Sequence, residues 1–200
     1  MPKRVKAGTK PKRKLVRDMS PMELMELAFI RSRPSDAPTH SPTRHISDPV
    51  FGRLKWDVLW KGHVKDSPFG KKVPLSIEVV EEEAEPAREQ RDAFARYRKV
   101  EKGVFLQVQR MLFDYYEANK EEFRSYPPAI RGANKRLADL TKPSDVWRVA
   151  KVAGIVVPVQ RKKGRVVMLD FTTKWDQEHG TRALIQDGKA TRLMDPGAGY

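Results

Sequence analysis

Residues 86–123 read PAREQRDAFARYRKVEKGVFLQVQRMLFDYYEANKEEF. This stretch decides the fold class, because it sets a helical pattern between two strand-rich segments. Val104, Val108, Met111, Leu112, Tyr115 and Tyr116 recur at helical spacing and mark one apolar stripe over about residues 101–123. Ahead of it, a helix over about residues 86–100 turns Phe94 and Tyr97 inward, and the acidic run Glu81 to Glu85 favours its start through the helix dipole. Gly103 leaves two separate helices or one kinked helix open. Tyr126-Pro127-Pro128 ends the pattern.

Upstream, Phe51 to Trp56 alternates apolar and polar residues, as a half-buried strand does. Val58 to Val64 is a second strand, with Gly62 marking a bulge. Val73, Leu75, Ile77 and Val79 define a third, after the turn Asp66-Ser67-Pro68-Phe69-Gly70. Downstream, Pro143 opens a short helix that runs through Val146, Trp147 and Val149 to Gly154. Ile155 to Gln160 and Arg165 to Thr172 are strands joined by the basic turn Arg161-Lys162-Lys163-Gly164. Thr181 to Ile185 and Ala190 to Met194 flank Asp187-Gly188, a strong signal for a tight hairpin. Strand runs set apart from helices predict an α+β fold. An antiparallel sheet, with an N-terminal meander and C-terminal hairpins, packs against two or three helices.

The same patterning divides the chain into five parts: a disordered basic tail (1–17), a short helix (18–32), a linker (33–47), the α+β domain (48–195) and a frayed end (196–200). Ser20-Pro21-Met22-Glu23 carries the marks of a helix start. The linker is rich in Pro and Ser. Net charge is +14, and Lys3, Arg4, Lys6, Lys10, Lys12, Arg13, Lys14 and Arg17 account for more than half of it with no acid among them. These eight side chains are the candidates for non-specific, salt-sensitive contact with nucleic acid. No aromatic residue interleaves them to stack on bases.

Composition excludes several classes. The 200-residue chain has no cysteine, which removes disulfides, zinc–thiolate sites and thiol nucleophiles. No apolar run reaches the length that spans a bilayer, and no apolar stretch follows the basic N-terminus as in a secretory signal. No membrane partner is expected, and a cytoplasmic location is the default. No glycine-rich phosphate loop is present. His40 and His45 fall in the linker and His63 in a strand, without a positioned nucleophile to make a triad. No cofactor, metal or catalytic residue can be named.

The densest polar-aromatic cluster is Trp175-Asp176-Gln177-Glu178-His179-Gly180, between two expected strands. Trp175, Asp176, Glu178, His179 and Gly180 are the candidate partner-binding residues. A structural turn is the competing reading: Asp176 accepts backbone N–H groups, Gly180 supplies a positive φ, and Trp175 packs at the core edge. Carboxylates beside an imidazole also suit a divalent metal, which makes a metal-dependent hydrolase the third reading.

Five motifs carry a resemblance: Asp48-Pro49-Val50-Phe51-Gly52, Trp60-Lys61-Gly62, Gln90 with Phe94, Leu140 to Val146, and the 175–180 cluster, a Trp-Asp-x-Glu-His-Gly signature ahead of a terminal hairpin. On them, residues 48–195 resemble bacterial domains of unknown function related to toxin-immunity proteins. The resemblance implies an α+β fold and a non-catalytic binding role. It supplies no catalytic residues. The segment 1–47 lies outside it, and the positive charge argues against masking a basic nuclease site. The first expectation is therefore a non-enzymatic cytoplasmic protein-binding module, immunity-like, with an unknown protein partner. The alternative is a nucleic-acid-associated accessory protein that uses its tail.

Overall fold

A computed structural model describes residues 44–82, 84–125, 139–160, 164–176 and 179–197. The expected tail and short helix, most of the linker, and the basic turn at 161–163 lie outside these residues. The chain forms β1 (His45–Asp48), β2 (Gly52–Asp57), β3 (Leu59–Ser67), β4 (Gly70–Ile77), α1 (Arg88–Ser125), a 3-10 helix (Pro143–Arg148), β5 (Ala150–Val157), β6 (Val166–Thr173), β7 (Thr181–Gln186) and β8 (Lys189–Met194). Strand β1 begins inside the stretch read as linker.

All eight strands form one sheet, and their order in space is their order in sequence. Strands β1–β4 make one antiparallel meander and β5–β8 a second. The two are joined by a parallel pairing of β4 with β5, across which α1 and the 3-10 helix form the crossover. Parallel neighbours require such a crossover, because a tight turn cannot bring the chain back to the same end.

This corrects the expected fold class. The sheet is mixed instead of purely antiparallel, and one long helix with a 3-10 turn replaces two or three helices. Helix α1 runs unbroken through Gly103, which is exposed and has room on all sides, so the glycine costs propensity without forcing a kink. The apolar stripe then holds for the whole 38 residues: Ala93, Phe94, Tyr97, Val104, Val108, Leu112, Tyr116 and Phe123 are all buried. Tyr115 lies off that stripe and is exposed. The helix expected to reach Gly154 stops at Arg148, because residues 150–157 extend as β5.

Strand alternation explains which face meets α1. Leu54, Trp60, Val64, Val73, Leu75, Ile77, Ile155, Val167, Leu169, Phe171, Ala183 and Ile185 join the helix stripe in one core. Each large side chain fully buried there contributes roughly 1.5–3 kcal/mol. Gly62 sits in regular register opposite Leu75 and makes no bulge. A Cβ on it would lie 2.8 Å from Leu54 Cδ2, so the glycine lets Leu54 pack over the strand. On the opposite face, Val166, Met168 and Leu184 form a small second cluster. Beside it Arg182 grips Asp170 across β6–β7 with two bonds of 2.6 and 2.9 Å. Asp187 and Gly188 both take positive φ and close the β7–β8 hairpin. Among the described residues no helix is long and apolar enough to cross a membrane.

Candidate functional site

The 175–180 loop joins β6 to β7. Trp175 is wholly buried against Tyr116 and Phe123 of α1, with ring centroids 5.6 and 5.9 Å away. It has no surface to present to a partner. Its indole N–H is the buried side-chain group without a hydrogen-bond partner among the described residues. The Asp176 carboxylate accepts the His179 backbone N–H at 3.0 Å and lies 3.3 Å from His179 Nδ1. The Thr173 hydroxyl ties the other side of the turn: it accepts from the Asp176 N–H and donates to the Asp176 carbonyl. Gly180 has φ +72°, and a Cβ there would fall 2.5 Å from the Phe171 carbonyl oxygen, so only glycine fits. Glu178 lies outside the described residues. Among those residues no group of three metal-ligating side chains is assembled. Asp176, Thr173 and Gly180 thus fix the path of the chain, and His179 is exposed.

A second region comes from the sheet face turned away from α1. Among the residues that alternate with the core on β2, β3 and β4, the basic ones are Arg53, Lys55, Lys61, His63, Lys65 and Lys72, and all six are exposed. Register sets Lys55 opposite Lys61 and Lys65 opposite Lys72. Asp57 pairs with Lys61 at 2.7 Å. That bond, with the Lys55 charge beside it, holds the Asp57 carboxyl below its ordinary pKa. Asp48 is buried and Asp66 is exposed near the end of β3; among the described residues Asp57 is the carboxylate paired with a lysine of this face.

The third region is a slot within the sheet. β4 and β5 pair only at Leu75–Ile77 with Ile155–Val157. Their earlier residues part just where Pro74, which has no N–H to give, faces the β5 irregularity between Val152 and Gly154. A cavity of about 490 Å³ opens between the strands. The half-buried rings of Phe69, Phe105 and Trp147 line it, and so do Lys72 and Lys151. Phe105 stacks on Trp147 at 4.9 Å and 19°, while Phe69 meets both edge-on at 5.1 and 5.9 Å.

These walls are held from behind. The Trp147 indole N–H donates to Gln109 of α1 at 2.8 Å. Ser67 Oγ accepts the Phe69 N–H and donates to Glu101 Oε1 at 2.7 Å. Glu101, buried on α1, also takes a bond from the Tyr97 hydroxyl at 2.9 Å and pairs with Arg98. Burial first, and the Glu101 charge second, push the Tyr97 pKa well up, so the hydroxyl stays a donor.

The carboxyl ends of the same two strands are closed by Gln90. Its amide nitrogen donates to the carbonyls of Glu78, Val157 and Pro158 at 2.6, 3.3 and 3.1 Å. Its oxygen accepts the Ala87 N–H at 2.8 Å, half of a capping box at the helix start. A smaller hollow of about 270 Å³ outside it is rimmed by Glu81, Glu85 and Glu89.

Neither the slot nor the cationic face was singled out in the sequence. The sequence places Phe69 in a turn and Trp147 in a short helix, as the structure does, and no local pattern marks either of them or Phe105 as a slot wall. The rings come from three elements, and only the parallel join brings them together. Alternation in β3 did carry a signal for the cationic face, since Lys61, His63 and Lys65 share one side.

Fold and surface together define, among the described residues, a mixed-sheet domain crossed by one long helix, with a slot at its central parallel seam. Residues 50–196 match the family described as Domain of unknown function (DUF6985), and the chain belongs to that family. No curated protein and no solved structure matches it.

Proposed function

We propose that this protein is a non-enzymatic, cytoplasmic protein-binding module, immunity-like in role, that takes an acidic protein surface on the face of β1–β4 turned away from α1. The observation that supports this reading is the set of exposed basic side chains on that face, where among the described residues Asp57 is the carboxylate that pairs with one of them. Such a field steers an acidic partner and rejects a basic one. A phosphate backbone would feel the same field. The tryptophans of these strands, however, lie on the core side, Trp60 buried and Trp56 packed against the core, so the face offers no stacking platform for bases.

The test uses the full chain and the variant R53E/K55E/K65E. An acidic protein recovered in stoichiometric amount by the nuclease-treated wild type, and lost by the variant, is the expected result. For the immunity-like role, a growth-inhibiting protein encoded beside this one should be neutralised by the wild type and not by the variant. Equal recovery by both chains, or a bound fraction that nuclease removes, overturns the proposal.

A further inference from the structure

We infer that the slot between β4 and β5 is a binding site for a small planar anion, an aromatic group bearing a carboxylate, sulfonate or phosphate. The inference does not require the partner surface proposed above, although Lys72 belongs to both. Its first support is shape. A cavity of about 490 Å³ is of the size that holds a small ligand, and it lies where two strands of one sheet separate, not at a loose loop.

The second support is the division of its lining. Phe69, Phe105 and Trp147 stand on the α1 side, and each is only half-buried. Core aromatics elsewhere in the molecule, such as Trp60, Trp175 and Tyr97, are covered almost completely. A flat apolar group entering the slot would complete the contacts these three rings lack, by stacking or edge contact. Lys72 and Lys151 lie on the opposite, helix-free side of the strands, at the mouth. Lys65 stands directly across β3–β4 from Lys72. Among the described residues no carboxylate lines the cavity, so the lysines favour a negative charge at the entrance.

The third support is that the walls are already fixed. Gln109 holds Trp147, and the Glu101–Ser67 pair holds the Phe69 backbone. A ligand would meet rings that need no ordering, which lowers the cost of binding.

The probe is 8-anilinonaphthalene-1-sulfonate, with N-phenyl-1-naphthylamine as the analogue that lacks the sulfonate. Both are titrated into the 15N-labelled full chain, whose four tryptophans give four indole N–H signals. Trp147→Phe identifies the signal of Trp147. The expected result is saturation at one sulfonate per chain with the Trp147 signal moving and those of Trp56, Trp60 and Trp175 in place. The uncharged analogue and the variant K72E/K151E should each bind about tenfold more weakly or worse. The variant should keep the wild-type melting temperature, since both lysines are exposed. An unmoved Trp147 signal, several equivalents bound, or equal affinity for the two probes or the two chains overturns the inference.

Discussion

At the carboxyl ends of β4 and β5 the Gln90 amide spans both strands; at their amino ends the strands part around a cavity of about 490 Å³. In open α/β sheets ligands gather at the carboxyl end, where the strand order reverses and helices leave for opposite faces. Here the order never reverses, and among the described residues α1 and the 3-10 helix make the crossover. No crevice is forced open at that end, and a single buried amide fills it. The opening is moved to the other end by a local device, a proline and a strand irregularity. Topology says where a site comes at no cost, and the side chains decide whether it is used.

The largest effect should come from breaking the closed end. Gln90→Ala leaves the carbonyls of Glu78, Val157 and Pro158 without their shared donor and uncaps the helix. The expected loss is about 3 kcal/mol in urea denaturation. A loss under a third of that would mean that water takes over the amide's role.

Next is the support of the open end. Glu101→Gln removes the charge that Arg98 answers and weakens the hold on Ser67 and Phe69. About 2 kcal/mol of stability should be lost, with a weaker response of the Trp147 indole to the sulfonate probe. If the probe still binds as to wild type, the slot wall does not depend on this network.

The smallest effect lies beside the closed end, where Asp48 accepts the N–H groups of Val50 and Phe51 and pairs with Arg91 at 2.8 Å. Burial alone would raise its pKa. The two backbone bonds and the Arg91 guanidinium outweigh burial and hold it below the ordinary 3.8. A folded-state pKa below the unfolded one gives stability that is present above about pH 4 and fades as pH falls through the folded value. Asp48→Asn should cost about 1 kcal/mol at neutral pH, and its stability should fall less steeply than that of the wild type between pH 4 and pH 2. Parallel curves for the two proteins would show that the carboxylate contributes nothing to acid stability.

Local signals were legible and long-range ones were not. The alternation of Val73, Leu75 and Ile77, and the Asp187-Gly188 turn, are written within a few residues, and both elements stand close to where they were read. Residues 45–48 pair as β1, though four residues among prolines and serines carry too short a pattern to announce a strand. Helices expected at 86–100 and 101–123, separate or kinked near Gly103, are one unbroken helix, because the apolar stripe continues on both sides of that glycine. The parallel seam has no local signature at all, because Leu75 and Ile155 meet across a crossover. The 175–180 cluster is conspicuous for its chemistry, while the slot rings, scattered over the β3–β4 turn, α1 and the 3-10 helix, share no motif.

The neighbours-only strand order also bears on how the molecule assembles. All seven ladders join consecutive strands, and six of them need only a short connection to close. The seventh joins residues about 80 positions apart, and its closure entropy must be met before it returns any contact. The two meanders are therefore quick, self-contained hairpin stacks, and their seam is the kinetic bottleneck. The slot lies beside the rungs that form last and open first, so whatever fills it would act as a latch on the finished sheet.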